Sequence, residues 1–170
     1  MKKVVMVIAH EVFRDEEFLE PREILRNHTI GVTVASTDLS PATGKLGAKV
    51  KPDILLRDVR ASDFDAVVFI GGGGAACYFN DPYAHRLIKD AVSLGKVVAA
   101  ICIAPVILAK AGVLKGKRAT CWPSEGDTLK TMGATYTGGL VERDGLIITG
   151  NGPGAAQAFG QALAEALQEK

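Results

Sequence analysis

The stretch VVAAICIAPVILAKAG, Val97 to Gly112, runs through five apolar residues to a cysteine and then continues apolar to a glycine. A continuous run of Val, Ala and Ile suits a strand covered on both faces, as in a parallel sheet. The second run, APVILAKAG, reads as a helix that stops at Gly112. The thiol of Cys102 therefore falls on the turn between a buried strand and a helix. Strand, tight turn and helix form the repeating unit of an α/β domain.

Working outward, similar Val- and Ile-rich runs occur at KVVMVIA (3–9), GVTVAS (31–36), DAVVFIG (65–71), KVVAAIC (96–102) and GLIITG (145–150). Helical segments lie between them. DEEFLEPREILRN (15–27) places Phe18, Leu19, Ile24 and Leu25 on one side, with acids in its first turn, where the helix dipole favours them. DPYAHRLIKDAVSLG (81–95) opens on an Asp-Pro start signal and ends at Gly95, and PGAAQAFGQALAEALQEK (153–170) is a helix with an alanine-rich face. This alternation predicts an α/β fold with a doubly wound, mostly parallel sheet. Residues 39–60, with Pro41, Gly44, Gly47 and Pro52, are either a hairpin excursion or an extended connection.

The chain has 170 residues, 48% hydrophobic and 23% charged, which suits a single domain over 1–170 with a sizeable core. A net charge of +1 and an aromatic content of 6% give no basis for a nucleic-acid partner. The opening MKKVVMVIAHE has an apolar run too short for a signal peptide, and no segment approaches the roughly 18 apolar residues of a membrane span. Cys77, Cys102 and Cys121 are odd in number and lack C-x-x-C spacing. That argues against a disulfide framework, a zinc site or any other metal centre, and favours a reducing cytoplasm. No cofactor motif is complete.

In open parallel sheets ligands bind beyond the carboxyl ends of the strands. Three features fall at such ends: Glu17 after the first strand, GGGGAA (71–76) after AVVFI, and Cys102 after VVAAI. Adjacent strands would bring all three to one crevice. Ala100 and Ala104 flank Cys102 at two residues on either side, as a crowded nucleophile elbow requires. A helix start favours thiolate, and a shift from the ordinary value of about 8.5 to about 5–6 would make thiolate the main form. The bland alternative is a buried, inert cysteine.

The glycines Gly71, Gly73 and Ala76 fit G-x-G-x-x-A, but the acid that a dinucleotide fingerprint needs, Asp90, falls within a helix. Four glycines serve better where backbone must approach a substrate, or simply make a tight turn. The amide near Gly72, paired with that of Ile103, would form an oxyanion hole facing Cys102. Glu17 is one of four acids between residues 15 and 20, and nothing in composition singles it out.

A resemblance does. AICIAPVILAKAGVLKGKRAT is similar to the nucleophile-elbow segment of the ThiJ/PfpI family, and EEFLEP resembles its first-helix motif, an acid four residues before a proline. VVFIGG resembles the family's oxyanion loop and DGLIITGNGPGAAQAF its closing strand, turn and helix. The resemblance runs from about residue 3 to residue 168. It implies a flavodoxin-like three-layer αβα sandwich, a homodimer or higher assembly, and activities reported variously as peptidase, glyoxalase or deglycase, chaperone and oxidative-stress sensor. Residue by residue it implies Cys102 as nucleophile, Glu17 as the acid beside its sulfur, and the Gly72 and Ile103 amides as the oxyanion site. For Glu17 to assist thiolate it should be protonated, with a raised pKa.

The departures are as telling. The peptidase-like branch carries histidine directly after the cysteine, where this chain has Ile103, and the deglycase-like branch carries one before a proline, where TCWP places Trp122. His28 and His85 read as helix-surface residues; His10, after the first strand, is the one histidine within reach of the crevice. Gly71, Gly73, Trp122, Cys121 and His10 are accordingly the pocket candidates. Without a histidine, peptide hydrolysis lacks its usual proton carrier. Addition of a thiolate to an aldehyde expels no leaving group, so the expected function is cysteine-dependent chemistry on small reactive carbonyl compounds. The competing expectation is a non-catalytic stress sensor in which Cys102 oxidises to a sulfinate.

Overall fold

The computed structural model describes residues 1–169. The expected end of the last helix at Lys170 lies outside the described residues. Seven strands make the central sheet: β1 (Lys3–Val7), β2 (Gly31–Ser36), β3 (Ile54–Leu55), β4 (Ala66–Phe69), β5 (Val97–Ile101), β6 (Val141–Asp144) and β7 (Ile147–Gly150). Their spatial order is β6-β7-β5-β4-β1-β2-β3. All neighbours run parallel except β6, which pairs antiparallel with β7. The run β2-β1-β4-β5-β7 is the flavodoxin-like order. Five helices flank it: α1 (Asp15–Asn27), α2 (Pro82–Ser93), α3 (Pro105–Lys110), α4 (Gly126–Thr131) and α5 (Ala156–Gln168).

The continuous apolar runs have the cause anticipated from the sequence. Val5 and Val7 of β1 point to one side, into a core shared with Leu87, Ile88, Ile107 and Leu108 of α2 and α3. Val4 and Met6 point to the other, into a core shared with Phe18 and Leu25 of α1 and Phe159 and Leu163 of α5. Both faces of the central strands are therefore covered, so β4 and β5 are apolar and buried throughout. α1 and α5 approach closely because Gly160 has no side chain: a Cβ there would lie 2.9 Å from both Pro21 Cα and Ile24 Cδ1. At α2 the Asp81 carboxylate accepts hydrogen bonds from the amides of Tyr83 and Ala84, capping the helix ahead of Pro82.

The five expected strands are present: Gly31–Ser36 keeps its bounds, the runs at 3–9, 65–71 and 96–102 end early where their last residues become site-bearing loops, and the last strand begins at Ile147. Both alternatives for residues 39–60 hold in part. Ala42–Gly44 pairs antiparallel with Lys49–Val50 and parallel with Glu11–Phe13 in a small three-stranded sheet, and β3 then joins the edge of the main sheet. The half-buried, charged VERD of β6 was not expected as a strand, since an edge strand leaves little apolar signal. Among the described residues no helix is long and apolar enough to cross a membrane.

The chain leaves β1 for β2 and β3 on one side and then returns to β4 on the other. This reversal opens a crevice at the carboxyl ends of β1 and β4.

Candidate active site

Three chain segments meet in that crevice. The end of β1 is fixed by two hydroxyls, Ser36 Oγ and Tyr78 OH, each donating to the Ile8 carbonyl at 2.7 Å. From there the chain enters α1 and puts Glu17 in its first turn, fully buried. The glycine run follows β4 and comes up against it: the Arg14 amide donates to the Gly71 carbonyl at 2.9 Å. The third segment is the elbow after β5, where Cys102 has φ +66° and is 8% exposed. A non-glycine residue in this left-handed region is strained, and the strain lifts the side chain out of the turn toward the crevice.

The glycines allow this convergence. A Cβ on Gly71 would lie 2.5 Å from Glu17 Oε1 and would collide with Cys102 Cβ. Gly72 has φ +97°, and a Cβ there would sit 2.5 Å from the Arg14 amide nitrogen. So Gly71 is the gap through which the carboxyl and the thiol meet, while Gly72 turns the backbone. The amides of Gly72 and Ile103 are directed at the Cys102 sulfur and favour its anion.

The electrostatics of the pair differ from the sequence expectation in one respect. Burial pushes the Glu17 carboxyl up to about 7, against the pull of the Cys102 side chain and the Gly71 amide, in the direction expected. Neither carboxyl oxygen has a hydrogen bond of ordinary geometry, although Cys102 and Gly71 lie close enough to act on the charge. The thiol, expected at a lowered pKa, is instead pushed up to about 12, first by burial and then by the Glu17 charge. The two amides oppose this without prevailing. A buried thiol beside a carboxyl cannot ionise freely, and the charge on Glu17 raises it further, so the two titrations are coupled.

In front of the sulfur lies an open cavity of about 220 Å³ whose lining includes Gly72, Gly73, Cys102, Ile103, Trp122 and Pro153. Trp122, 44% exposed, is part of this lining, and its amide donates to the Cys102 carbonyl at 2.7 Å. Two cations that sequence reasoning missed, Arg14 and Lys45, complete the lining. Arg14 is held by Glu16 at 2.9 Å.

Three pocket candidates lie outside this lining: Gly71, at the gap between Glu17 and Cys102, and also His10 and Cys121. His10 Nε2 bonds Ser40 at 3.0 Å to its hydroxyl and 3.1 Å to its carbonyl, and does not line the cavity. The pull of the 38–40 turn explains the departure. Cys121 is buried, its Sγ donating to the Trp122 carbonyl at 3.3 Å. His28 and His85 are also engaged, with the Ile24 and Phe79 carbonyls. Among the described residues no histidine lines the cavity. Nor does any group of three or more His, Cys, Asp or Glu among them form a metal cluster.

The model of the DJ-1/PfpI family matches residues 2–166. The chain belongs to the DJ-1/PfpI family. An uncharacterized protein of Methanocaldococcus jannaschii is 39% identical over 98% of this chain and 83% of its own length. A Pyrococcus abyssi protein named a deglycase is 33% identical, over 91% of this chain and 93% of its own. Among solved structures, a ThiJ/PfpI domain protein from Brachyspira murdochii superposes with a TM-score of 0.97 at 32% identity, covering 99% of this chain and 97% of the other. Membership in the DJ-1/PfpI family agrees with the strand order and with the helix on each side of the sheet.

Proposed function

We propose that the protein is a cysteine-dependent enzyme acting on small reactive carbonyl compounds or their early adducts, with chemistry of the glyoxalase or deglycase kind. The observation that carries this is Glu17: a buried carboxyl with no well-formed hydrogen bond, raised to about 7, against the thiol on a strained elbow. A base poised near neutral pH is what thiol addition needs. The name borne by the Pyrococcus abyssi relative supports the reading.

With methylglyoxal the steps balance without a redox partner. Cys102 sulfur adds to the aldehyde carbon while its proton passes to Glu17, and Glu17 returns it to the alkoxide, giving a hemithioacetal. The amides of Gly72 and Ile103 stabilise the negative charge as it forms. Glu17 then removes the hydrogen on the former aldehyde carbon and delivers a proton to the neighbouring carbon, while the hydroxyl proton of the hemithioacetal passes to the neighbouring oxygen, leaving a thioester of lactate. Water cleaves the thioester to lactate and restores the thiol. No step requires protonation of a leaving amine, which is the step that the missing histidine would have served.

On the same reading the chain works as a homo-oligomer in the reducing cytoplasm, where its three free cysteines stay reduced. The test is conversion of methylglyoxal to lactate. Loss of at least a thousandfold of the rate in Cys102→Ser supports the proposal. No turnover in the intact protein, with selective sulfinate at Cys102 under mild peroxide, supports the sensor instead.

A further inference from the structure

The cavity lining mixes two kinds of residue. Trp122, Ile103 and Pro153 are the large apolar residues of its lining, and Arg14 and Lys45 are its charged ones. Arg14 is neutralised by Glu16, which receives hydrogen bonds from both its Nε and its Nη2. Lys45 is different: its ammonium has no ion pair or hydrogen bond among the described residues. The other lysines of the same hairpin are engaged, Lys49 with the Thr43 hydroxyl at 2.6 Å and Lys51 with the Leu39 carbonyl at 2.9 Å.

Nor is the place of Lys45 left to a loose loop. Its amide donates to the Phe13 carbonyl at 2.8 Å, and the amides of Leu46 and Ala48 donate to buried Asp15 at 2.8 Å each. Gly44, just before it, has no room for a side chain against the Asp15 carboxylate, where a Cβ would lie 2.5 Å from Oδ2. A buried acid in α1 therefore clamps the turn that carries an exposed, unpaired cation to the lining of the cysteine cavity. The net charge of +1 supplies no strong general field, so attraction of anions here is local to this residue. Three acids stand nearby and none lines the cavity: Asp15 is bonded to the Leu46 and Ala48 amides, Glu16 to Arg14, and Glu17 lies against Gly71.

We propose that the cavity takes small carbonyl compounds that carry a carboxylate close to the reacting carbonyl, with Lys45 holding the carboxylate while Cys102 meets the carbonyl. A volume of about 220 Å³ limits the ligand to a few heavy atoms and disfavours bulky adducts. Lysine, a compact point charge, suits a single carboxylate oxygen. The carbonyl half of this inference rests on the function proposed above; the anion subsite does not.

Alkylation of Cys102 by iodoacetate and by iodoacetamide tests the subsite without any turnover. The reagents differ in charge, and their rate ratio cancels the thiolate fraction. The ratio, referred to that of glutathione, should fall about fivefold in Lys45→Gln, recover in Lys45→Arg, and stay at the wild-type value in Lys49→Gln. It should also fall with added salt, as an exposed charge requires. A ratio that is the same in Lys45→Gln and wild type overturns the proposal. Lactate formation from methylglyoxal separates the two claims. A Lys45-dependent ratio without turnover keeps the anion subsite and removes the carbonyl chemistry, whereas turnover with a Lys45-independent ratio does the reverse.

Discussion

Asp15 and Glu17 stand two residues apart in the first turn of α1, and both are buried. Asp15 accepts backbone hydrogen bonds from Leu46 and Ala48 on separate carboxylate oxygens. Burial pushes its pKa up, but those bonds and the Arg14 charge outweigh burial and hold it below the ordinary range. Glu17 has no such partners, and its pKa rises to about 7. The same helix turn thus holds one acid whose charge is spent on structure and one whose charge remains available. A buried polar group without partners destabilises the fold, so its persistence beside a thiol points to chemistry rather than to architecture.

The largest expected effect follows from Glu17. An acid whose folded pKa is raised retains its proton longer in the folded state than in the unfolded one. Its contribution is complete below the unfolded value, near the ordinary 4.5, and is lost as pH rises to about 7. The loss amounts to about 3 kcal/mol across that window. Urea unfolding at pH 4.5, 5.5, 7 and 8 should show the decline in the wild type and a flatter profile in Glu17→Gln. An equal decline in both would remove the distinction between the two acids.

Asp15 should respond with the opposite sign. Its folded pKa is lowered, so its contribution is present above the unfolded pKa and is lost as pH falls through the folded value. Asp15→Ala should cost about 2 kcal/mol at pH 7, the worth of hydrogen bonds to a charged group, and less in acid. Equal costs at pH 7 and pH 3 would contradict the clamp. A smaller effect is expected at the gap between the two functional groups. Gly71→Ala should destabilise by about 1–2 kcal/mol through overpacking against Cys102 and Glu17, and should slow Cys102 alkylation as the pair is forced apart. Unaltered stability and alkylation would mean that the pair does not depend on this contact.

The same contrast explains what could be read from the sequence. The strands showed themselves because both sheet faces are buried, so β1, β4 and β5 are unbroken apolar runs. Cys102 was legible from the small residues around it, and Glu17 only through resemblance, since four acids share six positions. Lys45 was not legible, because it reaches the cavity through bonds from Leu46 and Ala48 to Asp15, more than thirty residues away. The glycines at 44 and 47 were the local trace of that turn. The thiol pKa was misjudged for a related reason: the helix start and the amides were visible in the pattern, but the depth of burial and the facing carboxyl were not.

The function proposed above requires Cys102 and Glu17 to titrate as a coupled pair, with Glu17 taking the thiol proton. The pH dependence of Cys102 alkylation by iodoacetamide tests it most directly, in the wild type and in Glu17→Gln. The account predicts a rise with a midpoint near 7 in the wild type, where the pair loses its first proton, and a shift of that midpoint well upward in Glu17→Gln. A wild-type midpoint near the ordinary thiol value of about 8.5, unchanged in Glu17→Gln, would contradict it.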